Sequence, residues 1–293
     1  VTQAEPLDDA SWEAAQLTEL VALSEQTNTS ALLERAKELN GGKECRFDEA
    51  DCLDRGRMGG MHIYRRIVFS DGTVWLARIL RENYTSFSDS LSNQIFLSEC
   101  ATLHWLDSVS NVPTPRLHDY GLRRDSLNVV GVAYMRIDEM PGRPYNPAIA
   151  TEAQKRKVLS QWAHVVHELS SRPFDQIRSL EMGADNQDIH IGPISSDRTG
   201  TLPPIGPFRT AYDYYTSWTQ IYLDLKKDRQ IFSEFTLDAY LMFRYLKDTL
   251  NREKSWLAKR KGLDSGPFYL KHVNDKGVHI LIDGDYNITG IID

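Results

Sequence analysis

Cysteine is scarce in this chain: Cys45, Cys52 and Cys100 are all there is. An odd number without paired spacing excludes a disulfide framework and suits reduced thiols. Cys45, Cys52 and His62 also lack the spacing of a structural zinc site. Long apolar runs are missing too. Charges interrupt every hydrophobic stretch well short of about 18 residues, so no membrane-spanning helix is expected. There is no excess of positive charge, with 34 Lys and Arg against 41 Asp and Glu and a formal net charge of -7. Without a basic stripe interleaved with aromatics, a nucleic-acid partner is not expected. No G-x-x-x-x-G-K-[ST] occurs, which removes a Walker-type phosphate loop. The glycine cluster near residue 60 is followed by a strand pattern rather than a helix, which argues against a dinucleotide fingerprint. No N-terminal apolar run would direct the chain to a secretory route, so a cytoplasmic setting is expected.

What is present is an ordinary globular composition, 41% hydrophobic and 26% charged over 293 residues. A chain of this length buries roughly 75% of its extended surface, enough for one large domain or two lobes. Apolar residues recur at helical spacing over 9–26 (Trp12, Ala15, Leu17, Leu20, Leu23). Ser30 is placed to cap a second helix ending at Gly41-Gly42. Residues 61–69 and 73–80 are β-rich runs joined by Ser70-Asp71-Gly72, a hairpin signal. Helical period returns over 90–108, followed by an extended Pro-containing connector at 112–115. A buried strand is expected over 129–137, leading into Met140-Pro141-Gly142. Further helices are expected at 151–171, 211–226 and 235–260. The Gly-, Pro-, Asp- and Ser-rich stretch 183–210 reads as a long surface loop. Two short strands, 280–282 and 288–292, close the chain around a turn at 283–287. The chain starts at Val1 and stops at Asp293 inside an apolar run, so both ends read as cuts in a longer protein.

The chemistry concentrates in a few segments. Gly56-Arg57-Met58-Gly59-Gly60 lies between strand-like segments, where a glycine-rich loop can bring backbone N–H groups to phosphates. Arg78 is a cation on the apolar strand Val74-Trp75-Leu76-Ala77-Arg78-Ile79. Glu99 lies on the helix over 90–108, in Leu97-Ser98-Glu99-Cys100-Ala101. Tyr134-Met135-Arg136-Ile137-Asp138-Glu139-Met140-Pro141-Gly142 joins a strand to a connector. The last segment is His272-Val273-Asn274-Asp275-Lys276-Gly277-Val278-His279-Ile280-Leu281-Ile282-Asp283, which runs on to Gly290-Ile291-Ile292-Asp293. Taken in this order, these segments resemble the aminoglycoside phosphotransferase and choline kinase-like family. Its catalytic loop and metal strand read roughly H-G-D-x-x-x-x-N-I-L-x-D followed by G-x-I-D. Phe174-Asp175-Gln176-Ile177-Arg178-Ser179-Leu180 and Gly206-Pro207-Phe208 look like features of fungal-type members. The resemblance covers about residues 45–293.

The resemblance implies an α+β, bilobal protein-kinase-like fold. Its parts would be a helical hairpin extension (1–44), an N-lobe of small antiparallel sheet with one helix (45–140), and a mostly helical C-lobe (141–293). Members continue with further helices, so the C-lobe is expected to be truncated. The implied activity is ATP-dependent phosphotransfer to a hydroxyl or amine of a small molecule, with ATP and Mg2+ or Mn2+ as cofactors. Gly56, Gly59 and Gly60 would cover the phosphates. Arg78 would stand for the family's phosphate-binding Lys and Glu99 for its ion-pair partner. Arg136, Ile137 and Asp138 would belong to the hinge between the lobes, whose backbone would hydrogen-bond adenine.

Two positions depart from the family. Asn274 stands where the catalytic Asp is usual, and an amide is no general base; Asp275 is its neighbour. His279 replaces the metal-ligating Asn beside Asp293, and imidazole suits softer ions than Mg2+. A pseudokinase, the same fold kept as a binding module, is therefore the alternative. Simpler roles stand beside these. Arg78 and Glu99 can form a purely structural pair, and His279 can be a hydrogen-bonded histidine. Asp283 and Asp285 suit a turn, and the aromatics between Tyr212 and Tyr222 suit helix packing.

Overall fold

The computed structural model describes residues 9–48, 59–81, 88–183, 188–194, 204–231, 233–272, 277 and 279–292. Two helices come first, α1 (Asp9–Gln26) and α2 (Thr29–Leu39). Asn28 rather than Ser30 caps α2, its side chain accepting the Ala31 N–H at 3.1 Å. Gly41 and Gly42 end the helix at φ +67 and +82, a left-handed turn that glycine enters without a Cβ penalty. At 11 residues α2 is too short to hold by itself. Burial holds it: Leu32 and Ala36, with Leu20 and Leu23 of α1, share one core with Ile63 and Ile67 of the sheet.

That sheet has five strands: β1 (Cys45–Phe47), β2 (His62–Phe69), β3 (Val74–Leu80), β4 (Leu117–Gly121) and β5 (Tyr134–Asp138). All neighbours are antiparallel, in the order β1-β2-β3-β5-β4. Side chains alternate across it. Ile63, Ile67 and Phe69 face the helix pair. The residues that alternate with them, His62, Tyr64 and Arg66, face the other side. There α3 (Asp89–Val109) packs, with Phe96 and Cys100 against Met135 and Ile137. β5 starts five residues later than its apolar run suggests. The Asn128 side chain ties Leu122 O, Val132 O and the Val130 N–H into a turn, and Gly131 takes φ +88.

The helical half contains α4 (Glu152–Ser170), α5 (Ala211–Lys227), α6 (Thr236–Lys259) and the short α7 (Lys261–Asp264). Thr151 and Gln154 form a full capping box at the start of α4. α5 and α6 pack through an aromatic ladder, with Trp218 stacked on Tyr222 at 5.6 Å and Tyr222 on Phe243 at 4.5 Å. Beside α4 lies a sheet ordered β10-β9-β6, made of β6 (Arg143–Pro144), β9 (Ile280–Ile282) and β10 (Ile288–Ile291). Part of the stretch read as loop is strand: β7 (Ser179–Met182) pairs with β8 (Ile189–Gly192). Leu180 and Met182 bury against α3, which gives this hairpin its reason to form. Two Gly-Pro-Phe turns flank the segment before it: Phe268 pairs with Phe174 and Phe208 with Ile177. Among the described residues no helix is long and apolar enough to cross a membrane.

Candidate active site

Tyr64 stands opposite Arg78 in the β2–β3 register, and His62 opposite Leu80. Directly paired residues share a face, so His62, Tyr64 and Arg78 all point toward α3. α3 meets them with Glu99. The Arg78 Nη1 donates to Glu99 Oε1, and Nη2 lies 3.1 Å from His62 Nδ1. A guanidinium only donates, so Nδ1 must accept and the imidazole proton belongs on Nε2. That atom lies 3.8 Å from Glu99 Oε2. The Tyr64 ring centroid is 5.6 Å from the guanidinium carbon. The Arg78 side chain is 6% exposed and that of Glu99 25%. A cation held that far from water needs a countercharge, and the countercharge itself stays open to solvent.

Arg66, on the same face, grips Glu139 with a fork of 2.7 and 2.8 Å and also pairs with Asp48. The fork binds β2 to the connector that follows β5. The connector in turn lies on the β9–β10 hairpin. Gly142 has φ +112, and a Cβ there would come within 2.4 Å of Thr289 Oγ1 and 2.8 Å of Ile282 O. Thr289 Oγ1 donates to Pro141 O at 2.5 Å, and a Cβ on Gly290 would lie 2.9 Å from Met140 Cβ. Within the hairpin, Asp283 accepts from Asn287 Nδ2 and from the N–H groups of Asn287 and Asp285. These bonds, the Asn287 side chain's first, draw its carboxyl below the ordinary range. Asp283 is thus a turn residue. His279, buried just before β9, stacks on His272 at 4.0 Å and meets the edge of Trp162 at 5.5 Å.

Two residues of the expected hinge turn their side chains away from Arg78. Arg136 is opposite Ala77 and Asp138 opposite Trp75, so both side chains share the face turned away from Arg78. Arg136 is fully buried there, at 2.6 Å from Asp119 Oδ2 and 2.8 Å from Leu32 O. Asp138 binds His118 Nε2 at 2.7 Å, and the His118 ring stacks on Trp75. Burial pushes the Asp138 carboxyl up, but the hydrogen bond and charge of His118 outweigh it and hold it below the ordinary range. The Asp138 N–H is also taken, by Arg116 O at 3.1 Å. Of the three, Ile137 alone faces α3, opposite Leu76. A sequence string cannot show strand parity; the position of Arg78 sets it.

Gly59 and Gly60 turn their carbonyls to Arg81, whose only sequence signal is a charge following an apolar run. Gly56, Asn274, Asp275 and Asp293 lie outside the described residues. Among the described residues no group of three His, Cys, Asp or Glu is placed to hold a metal ion.

No family model matches the sequence, and no curated protein matches it. Solved structures do. One is a protein assigned as a fructosamine-3-kinase from Thermobifida fusca, at 19% identity and TM-score 0.51, covering 89% of this chain and 70% of that one. Another is the macrolide 2'-phosphotransferase MphH from Brachybacterium faecium, at 16% identity and TM-score 0.44, covering 90% and 70%. An aminoglycoside phosphotransferase from Alicyclobacillus acidocaldarius follows at 12% and 0.31, covering 78% and 59%. With its antiparallel sheet, paired Arg78 and Glu99, connector and terminal hairpin, the chain has the protein-kinase-like fold of the small-molecule phosphotransferases.

Proposed function

We propose that this protein is a phosphotransferase that moves a phosphoryl group from ATP to a hydroxyl or amine of a small molecule, in a cytoplasmic setting. The observation that carries this reading is the Arg78–Glu99 pair, whose guanidinium is braced by an imidazole on one side and a part-exposed carboxylate on the other. On this fold, such a cation is placed to neutralise the α- and β-phosphates, and its fork offers two donors where a Lys offers a point charge. Gly56, Gly59 and Gly60 cover the phosphates. Adenine lies against Ile137 and the connector beyond it, not against the side chains of Arg136 or Asp138. The fructosamine-3-kinase neighbour is named for a small-molecule acceptor, which is in keeping with this acceptor class.

A divalent cation, held through the nucleotide phosphates and the Asp293 carboxylate, would supply charge neutralisation during transfer. His279 does not fit its ligand shell: Mg2+ prefers hard oxygen donors, and this imidazole is packed between His272 and Trp162. Asn274 positions the acceptor by hydrogen bonding without taking its proton. A missing general base typically lowers the rate by about 10²–10⁴-fold, roughly 3–5 kcal/mol of barrier. Positioning and charge neutralisation supply most of the catalysis in phosphoryl transfer, so slow turnover is expected rather than none.

The test is a thermal shift with ATP plus Mg2+ or Mn2+, followed by turnover against a panel of metabolites bearing amines and hydroxyls. Wild type should shift, Arg78→Ala should lose the shift, and Asn274→Asp should raise turnover about 10²-fold or more. No shift with either ion overturns the proposal. A shift without turnover, in wild type and Asn274→Asp alike, would make the protein a pseudokinase.

A further inference from the structure

Nothing in the proposed reaction uses α1, yet α1 reaches the glycine turn through one buried side chain. Arg81 follows β3 and leaves the sheet on the face opposite Arg78. Its side chain is 3% exposed and that of Glu19, on α1, 7%. Arg81 Nε lies 3.2 Å from both Glu19 carboxylate oxygens, and Nη2 lies 2.5 Å from Oε2. The remaining nitrogen, Nη1, donates beyond the pair, to Gly59 O at 2.8 Å and Gly60 O at 3.3 Å. The turn is closed by two backbone bonds, Gly59 N–H to His62 O at 2.8 Å and Arg81 N–H to Met61 O at 2.9 Å. One helix carboxylate therefore fixes one guanidinium, and the guanidinium fixes two peptide planes.

A trans peptide is planar, so each N–H points opposite to the C=O of its own unit. Drawing Gly59 O and Gly60 O toward Arg81 turns the Gly60 and Met61 N–H groups the other way, to the face that bears His62, Tyr64 and Arg78. We propose that α1 is a positioning brace for the nucleotide site: Glu19, acting through Arg81, orients the Gly60 and Met61 amides toward the phosphates held by Arg78. Glu19 and Arg81 are positioning residues in this scheme. It rests on the nucleotide reading above. A buried ion pair gives no more stability than well-packed apolar side chains, so stability alone does not explain this one. A guanidinium explains it, because its fixed fork can hold a carboxylate and two carbonyls at once.

The experiment compares the full-length wild type with the double variant Glu19→Leu/Arg81→Met, which removes both charges and leaves neither orphaned. Three quantities are measured: melting temperature, hydrogen exchange of the two turn-closing amides at positions 59 and 81, and the dissociation constant for ATP with Mg2+. The double variant should fold, exchange those amides about tenfold faster or more while the amides of Ile63 and Ile67 hold, and bind nucleotide about tenfold more weakly. Arg81→Lys keeps a charge but loses the fork, should show the same changes in smaller measure, and decides the matter if the double variant does not fold. Unchanged exchange at positions 59 and 81 overturns the brace. Faster exchange with wild-type nucleotide affinity overturns its positioning role. A wild type that binds no nucleotide overturns the reading it rests on, while the exchange data still decide whether α1 holds the turn.

Discussion

Arg78 lies on β3 and Arg81 just past its end; they point to opposite faces, and each meets a glutamate on a helix. The resemblance ends there. Arg81 and Glu19 are sealed, with the guanidinium's hydrogen bonds spent on the carboxylate and two carbonyls. Arg78 and Glu99 are closed at the arginine and open at the glutamate. A pair sealed on every side can act only through the groups it holds in place. A pair with one exposed partner keeps part of its field for something that arrives. Burial thus separates the two pairs where sequence shows the same two residue types.

The largest effect should come from breaking the sealed pair. Glu19→Leu leaves a guanidinium uncompensated in the interior and should lower stability by about 3–5 kcal/mol, read from urea unfolding. If the loss is only a few tenths, the pair is wetter than its burial indicates and the contrast fails. Glu99→Gln, on the open pair, keeps a hydrogen-bond acceptor beside water and His62. It should lower stability by about 1 kcal/mol in the same assay, and an equal loss in both variants would erase the distinction.

The smallest effect concerns Asp138, partly exposed on the Arg81 face. Its carboxyl titrates below its unfolded value, so its contribution is complete above the ordinary carboxylate range and is lost as pH falls through the lowered folded value. With solvent screening, that contribution is under about 1 kcal/mol. His118→Phe should therefore narrow its gap from wild type as unfolding is moved from about pH 6 to about pH 3. A gap that widens toward acid would show that the bond to His118 is not what lowers Asp138.

Much of this architecture is legible in the sequence because it is local. Ser70-Asp71-Gly72 announces its hairpin, and the structure supplies the expected chemistry: Gly72 at φ +86, and Asp71 Oδ1 accepting the Thr73 N–H at 2.9 Å. Helical spacing places α1, α3 and α4 to within a residue or two. What was not legible depends on pairing across distance or on parity. Glu19 and Arg81 are 62 residues apart, and no pattern links them. β7 and β8 are short and lie among Gly, Asp and Ser, so their strand character emerges only against α3. Which face the Arg136 and Asp138 side chains take is likewise a matter of alternation, and it turns them away from Arg78. At the candidate site, Arg78 and Glu99 carried a motif, whereas His62 and Tyr64 join them only through the β2–β3 register.

Gly142 and Gly290 have a mechanical consequence. Because neither carries a Cβ, the connector and the terminal hairpin lie atom to atom, and Thr289 pins the two together at Pro141. The strap between sheet and helices is therefore the leaf of a hinge fixed to its post, not a loose string. Any bend between the sheet and the terminal hairpin would have to fall on the sheet side of that joint, where the fork from Arg66 ties Glu139 to β2. A single methyl group added at either glycine would shift the post.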